Sequence, residues 1–261
     1  MTDKVIVEQA GAIARIIFNQ PEKRNAVSLE MWEAVEVALD RFAVDASVRV
    51  LILSGAGGKA FVSGADISKF ESERASADGV AKYNATTKRV YDKVEAFPKP
   101  TIAQIDGFCV GGGVALAVCC DIRICGEGSN FAIPAARLGL GYGFRGINRL
   151  ANLVGPAFAK EIFFTARRYN AGEAQIMGLV NQIAGDGEVA TAADAMAAMI
   201  CDNAPMTVDA VKFITNQTRM DESQRDLAAC DALVQACFDS EDYIEGRRAF
   251  MEKRKPVWKG R

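Results

Sequence analysis

No histidine occurs among the 261 residues. That absence removes the usual general base, the commonest zinc ligand and every Ser-His or Cys-His nucleophile pair. Chemistry in this chain has to run on carboxylates, tyrosine, amides or lysine. CxxC pairs are also missing, so the seven cysteines make neither a disulfide framework nor a metal site; Cys119 and Cys120, adjoining inside an apolar run, read as small buried hydrophobes. No excess of one charge exists: 31 basic against 33 acidic residues leave a net charge of -2, too weak a field to favour nucleic acid or an anionic membrane surface. No apolar run is long enough to span a bilayer, and the opening MTDKVIVEQAG has no basic-then-apolar leader pattern. A cytoplasmic location is therefore expected, with neither nucleic acid nor membrane as partner. Internal repeats and low-complexity tracts are absent as well.

What is present is an alternation of buried-strand and helix patterns. Val- and Ile-rich runs at Lys4–Glu8 and Ile13–Phe18, separated by Ala10 and Gly11, read as a hairpin. Ser28 is a plausible N-cap for a helix to about Ala43, with Leu29, Trp32, Val35, Leu39 and Phe42 at helical spacing. Short buried strands follow at Val48–Leu53, Thr101–Ile105 and Asp121–Cys125, with a helix over about Val80–Phe97 stopped by Pro98 and Pro100. Beyond about Ala184 the pattern is helical, over Val189–Cys201, Met206–Thr215, Asp221–Phe238 and Asp242–Lys253. The expectation is an α/β core over 1–186 followed by a helical region over 187–261.

Two nucleotide motifs fail. GYGFRG (141–146) matches G-x-G-x-x-G, but the preceding AIPAARLGL is no clean strand and no ribose-binding acid follows at the required distance. The residues around Gly58 and Lys59 lack the first glycine and trailing Ser or Thr of a phosphate-binding loop.

A stronger signal is a pair of glycine turns, each placed after a strand: FVSGADI (61–67) and FCVGGGVAL (108–116). Three glycines opening a helix each cost roughly 1 kcal/mol relative to alanine. Glycine permits close backbone approach, and free amides at a helix N-terminus carry partial positive charge. Two amides aimed at one oxygen would make an oxyanion hole; the alternative is two close-packed turns.

AFVSGADI, QIDGFCVGGGVALAVCCDIRI, FAIPAARLGL and AFMEKRKP, in that order, resemble the enoyl-CoA hydratase/isomerase (crotonase) family over essentially the whole chain. The resemblance implies a spiral of ββα-like turns, a C-terminal helical trimerisation region giving homotrimers or homohexamers, and an acyl-CoA substrate whose thioester enolate sits in an oxyanion hole. It implies no cofactor apart from the coenzyme A of the substrate. By motif the two hole amides fall on Ala65 and Gly112. Lys23 and Ala26 fall near the adenine and phosphates, and Asp66 and Ile67 along the adenine pocket. Phe250 and Lys253 would reach a neighbouring subunit's ligand; for Lys23 and Lys253 an ordinary solvated lysine is the alternative.

The family's hydratases carry one glutamate after the glycines and a second after the proline of FxxP. Here those positions are Ala115 and Ala135, and a methyl group can neither activate water nor protonate a carbon. Decarboxylation survives the loss, because departing carbon dioxide leaves its electron pair behind and the hole stabilises the enolate that results. LGLGYGFRGINRL (138–150) also resembles the matching part of methylmalonyl-CoA decarboxylase, whose active-site tyrosine falls on Tyr142, although that enzyme has a histidine at Ala65 and a glutamate at Ala115. Arg145 is a candidate carboxylate partner through bidentate pairing, while Arg123 and Arg137 read as structural ion-pair formers. Three functions stay open: an acyl-CoA lyase working through a thioester enolate, a hydratase or isomerase with a non-standard acid, and a non-catalytic acyl-CoA-binding subunit.

Overall fold

The computed structural model describes residues 2–66, 76–185 and 187–261. It opens on the expected hairpin, β1 (Val5–Ala10) and β2 (Ile13–Phe18), paired antiparallel with Val5 opposite Phe18. Helix α1 (Leu29–Val44) follows and buries Met31, Trp32, Val35, Ala38, Leu39 and Phe42, the stripe that helical spacing predicts. Next come β3 (Val50–Gly55), β4 (Ala60–Val62) and α2 (Ala77–Glu95), then β5 (Thr101–Ile105), β6 (Phe108–Val110) and the short α3 (Gly112–Ala117). The third turn contributes β7 (Ile122–Gly126), β8 (Asn130–Ala132) and a 3-10 turn over Pro134–Leu138. After it run α4 (Phe144–Thr165), β9 (Tyr169–Asn170), α5 (Ala171–Ile176) and β10 (Gln182–Ala184). Helices α6 (Val189–Cys201), α7 (Pro205–Gln217), α8 (Leu227–Asp239) and α9 (Glu241–Glu252) close the chain.

The strands form two sheets, ordered β1-β2-β3-β5-β7-β10 and β4-β6-β8-β9. Each turn of chain gives one strand to each sheet: β3 then β4, β5 then β6, β7 then β8. This is the spiral of ββα-like turns that the resemblance implies. The first sheet is parallel from β2 to β10, and β4, β6 and β8 are parallel in the second. Loops leaving the carboxyl ends of β4, β6 and β8 therefore emerge side by side, the usual place for a ligand in a parallel sheet.

The first sheet is covered on both faces, so its strands read as unbroken apolar runs. Leu51, Leu53, Ala103, Ile105 and Cys125 face the main core with α1 and α2. Val50, Ile52, Ile102 and Ile124 face the other way, onto Val189, Ala193 and Ala197 of α6. Helix α6, first element of the C-terminal region, is thus the second cover of the core sheet.

Two helix expectations shift. The helix expected over Asp221–Phe238 is a 3-10 turn at Glu222–Gln224 and then α8, because Asp226 caps the later start by accepting from the Ala229 amide at 2.8 Å. The long α4 has no counterpart in the periodicity reading: Gly155, at φ 78, and Pro156 interrupt it midway. No helix among the described residues is long and apolar enough to cross a membrane.

Two buried hydroxyls, Ser28 Oγ and Thr87 Oγ1, have no hydrogen-bond partner among the described residues. Such a group carries its desolvation cost uncompensated. Thr87→Val is therefore expected to raise the unfolding free energy by about 1 kcal/mol in urea titrations; a fall in stability would show that the hydroxyl is partnered in solution.

Candidate active site

The first loop is built from the chain behind β2. Gln20 donates its backbone N–H to Asn25 Oδ1 at 2.9 Å, and Asn25 Nδ2 donates to the carbonyls of Ala56 at 3.0 Å and Ala60 at 2.7 Å. Arg24 and Asn25 both take left-handed backbone, with φ of 53 and 55, strain that fully buried Asn25 offsets through those three bonds. The turn delivers Val27 to Ala65: Val27 N–H donates to the Gly64 carbonyl at 2.8 Å and Asp66 N–H donates to the Val27 carbonyl at 3.1 Å. By the alternation of an extended chain, the Ala65 N–H then points away from Val27.

The second loop explains its three glycines, one reason each. Gly111 has φ 56 and ψ -111, a backbone that side chains rarely adopt. A Cβ on Gly112 would lie 3.2 Å from Tyr91 Oη and 3.8 Å from Gly64 Cα, so this residue faces the first loop across a narrow gap. A Cβ on Gly113 would stand 2.0 Å from the Val62 carbonyl oxygen, inside the end of β4. Glycine lets α3 seat directly on β4 and brings its N-terminus to Gly64 and Ala65. Among the described residues neither the Ala65 nor the Gly112 N–H has an acceptor. At the other end of α3, buried Arg123 donates to the carbonyls of Cys120 at 2.6 Å, Ala117 at 3.4 Å and Leu179 at 2.8 Å. Among the described residues Arg123 forms no ion pair: it meets the negative end of the helix dipole with carbonyls and the Asn181 side chain as partners. Arg137 is exposed.

Three of the residues assigned to coenzyme A come together. Lys23 Nζ donates to Asp66 Oδ2 at 2.9 Å, Gln20 Nε2 donates to the same oxygen at 3.2 Å and to the Ala26 carbonyl at 3.3 Å. Asp66 is 4 % exposed and Lys23 39 %, so the lysine compensates a buried carboxylate while its stem reaches the surface. Ile67 lies outside the described residues.

Ala115 stands one turn along α3 from Gly111, whose carbonyl accepts its N–H at 3.1 Å. Ala135, 5 % exposed, opens the turn after β8. Cys119, four residues beyond Ala115, shares its face of the chain and donates to its carbonyl at 3.1 Å. Burial pushes the Tyr91 phenol well up, with Tyr142 and Cys119 as further causes. Tyr142 packs edge-on to Phe163 at 4.9 Å and is also pushed up by burial. Both phenols are therefore neutral donors at physiological pH.

Arg145 is 65 % exposed and donates to Asp92 at 2.9 Å, and Asp92 also accepts from Arg149 at 2.6 Å and Lys88 at 2.8 Å. Burial pushes the Asp92 carboxyl up, but hydrogen bonds from Lys88, Arg149 and Arg145 outweigh it and hold it at about 2. Phe250, 83 % exposed, lies with Met251 along a groove of about 910 Å³ between α7, α8 and α9. Lys253 ends α9 in left-handed backbone. The groove lining contains neither hole residue, so within one chain Phe250 is separate from the two loops.

Sequence reasoning missed Tyr83, Tyr91 and Trp32. Tyr91 donates to the Gly112 carbonyl at 3.1 Å, and Tyr83 donates to the Val27 carbonyl at 3.1 Å. Their spacing of eight puts both on one face of α2, but nothing in a sequence says which carbonyl a tyrosine will meet.

Two glycine loops thus lie side by side at the carboxyl ends of parallel strands in a two-sheet spiral. The chain belongs to the Enoyl-CoA hydratase/isomerase family, whose sequence profile matches residues 8–261. It is 36 % identical to the short-chain-enoyl-CoA hydratase of Clostridium acetobutylicum, over 97 % of this chain and 96 % of that one. It is 34 % identical to the crotonyl-CoA hydratase of Syntrophomonas wolfei, with the same coverage. The solved structure of an enoyl-CoA hydratase/carnithine racemase from Magnetospirillum magneticum superposes with a TM-score of 0.92 at 35 % identity, covering 100 % of this chain and 97 % of that one.

Proposed function

We propose that this protein binds an acyl-CoA thioester at Ala65 and Gly112 and forms its enolate without a protein carboxylate, by decarboxylating a malonyl-type thioester. The observation that carries this reading is the pair of alanines at the two glutamate positions, Ala115 on α3 beyond the Gly112 amide and Ala135 in the turn after β8. In the reaction the bond between the α carbon and the carboxylate breaks and its electron pair passes into the thioester. Carbon dioxide leaves, and the α carbon then takes a proton from water or from Tyr142. The developing oxyanion is met by the two N–H groups, each donor of this kind lowering the barrier by roughly 3 to 4 kcal/mol.

Arg145 is held by Asp92, so the substrate carboxylate is assigned to neutral donors and apolar surroundings. That suits the step: a guanidinium would hold the ground-state carboxylate more tightly than a transition state in which its charge is leaving. Lys23, Ala26 and Asp66 form the coenzyme A end of the site, and a homotrimer or homohexamer would bring Phe250 and Lys253 to a neighbour's ligand. Exposure of Phe250 beside Met251 supports that last assignment.

The names of the relatives favour a second reading, hydration of an enoyl-CoA with an acid at another position. Incubation with a mixed panel of enoyl, malonyl and methylmalonyl thioesters, followed by mass spectrometry, separates the two. Loss of carbon dioxide from one thioester, about 10- to 100-fold slower in Tyr142→Phe as expected for a positioned proton donor, is the predicted outcome. Gain of water by the enoyl thioester would establish the second reading instead, and an unchanged panel would point to a binding subunit.

A further inference from the structure

The two amide donors follow β4 and β6, paired neighbours in one sheet, and an oxyanion hole works only if both N–H groups converge on one point. A misplacement of about 1 Å can cost roughly 100-fold in rate. Strand pairing and the seating of α3 on β4 set the coarse separation, and the contacts leading away from each loop, hydrogen bonds on one side and a ring contact on the other, meet at one indole.

From the first loop, the Val27 carbonyl accepts from Asp66 N–H at 3.1 Å and from Tyr83 Oη–H at 3.1 Å. Tyr83 Oη in turn accepts from Trp32 Nε1–H at 3.1 Å. From the second loop, the Gly112 carbonyl accepts from Tyr91 Oη–H at 3.1 Å, and the Tyr91 ring packs edge-on to Trp32 at 5.5 Å and 84°. Trp32 is 2 % exposed and Tyr83 5 %. The Gly112 donor is thus next to a carbonyl held by Tyr91, the Ala65 donor is next to an amide bonded to a carbonyl held by Tyr83, and both tyrosines rest on the same side chain of α1.

We infer that Trp32, Tyr83 and Tyr91 are positioning residues that fix the distance and angle between the Ala65 and Gly112 N–H groups. This rests on the assignment of those two amides as the thioester site. Tyr91 acts twice. Its hydroxyl holds the Gly112 carbonyl, in the peptide next to the donor N–H, and its oxygen lies 3.2 Å from where a Gly112 Cβ would stand, so the backbone at Gly112 is restrained on both counts. Burial keeps its phenol protonated and hence a constant donor. A purely structural role would need only the rings; the positioning role needs the hydroxyls.

The test is the carbonyl stretch of bound [1-13C]butyryl-CoA, an unreactive saturated thioester, by difference infrared spectroscopy. In the unaltered protein the band is expected to move to lower wavenumber, as two hydrogen bonds polarise the carbonyl. Tyr91→Phe and Tyr83→Phe keep the rings, and each is expected to lose most of that shift while the Kd for butyryl-CoA, set by the coenzyme A contacts, stays close to its original value. Tyr169→Phe serves as the comparison for general loosening, because the hydroxyl of this buried tyrosine bonds Thr165 and Glu161 and, among the described residues, has no hydrogen bond to either loop; its band should match the parent's. A full shift retained in both variants, or an equal loss in Tyr169→Phe, would overturn the positioning role alone. No shift in the unaltered protein would overturn the thioester site and, with it, the inference.

Discussion

Gly113→Ala is expected to destabilise the protein by at least about 3 kcal/mol and to abolish thioester polarisation in whatever fraction remains folded. The new methyl carbon would stand 2.0 Å from the Val62 carbonyl oxygen and 2.9 Å from its carbonyl carbon. Both atoms are backbone at the end of β4, so no side-chain rotation relieves the overlap, and α3 has to lift. Lifting α3 carries the Gly112 N–H away from Ala65. Gly111→Ala makes the contrast: nothing lies within 4 Å of its added carbon, and only the positive φ opposes it, so a loss of about 1 to 3 kcal/mol is expected. Urea unfolding of the two variants beside the parent checks both magnitudes, and a Gly113→Ala protein as stable as the parent would contradict the seating of α3 on β4.

The second large effect is a gain. Ala115→Glu combined with Ala135→Glu is expected to raise the addition of water to crotonyl-CoA by about 100- to 10,000-fold over the parent, the range of a positioned acid and base. Ala115 is partly exposed on α3, so a glutamate there can ionise and activate water. Ala135 is 5 % exposed, and burial would hold a glutamate protonated, ready to deliver a proton to the α carbon. Either substitution alone supplies half of this and should gain little. Mass gain of 18 Da in the thioester, the mass of water, is the readout, and a parent protein that already hydrates as fast as the double variant would refute the assignment of the missing acids.

Legibility in the sequence differed sharply between elements. The hairpin β1–β2 and helix α1 are readable because each has one buried face and a period that shows it. The strands β4, β6 and β8 are three residues long, too short for any period, so the second sheet was visible only through the family resemblance. Helix α4 was hidden by Gly155 and Pro156, which belong to its kink.

Around the site the same division holds. Glycine turns announce themselves because few other residues can stand where they stand, and the absent glutamates are visible as soon as the motif is aligned. Arg123 and Arg145 look alike in sequence, yet one meets carbonyls at a helix end and the other a carboxylate on α2. The partner of a long polar side chain is decided by what folds opposite it, and Tyr83 and Tyr91 escaped notice for that reason.

The measurement that bears most directly on base-free enolate formation is carbon dioxide release from malonyl-CoA and methylmalonyl-CoA labelled with 13C in the free carboxyl group, run in deuterated water. The account predicts labelled carbon dioxide in step with a product thioester carrying one new deuterium at the α carbon. Intact labelled thioesters, together with water addition to crotonyl-CoA by the same sample, would contradict it.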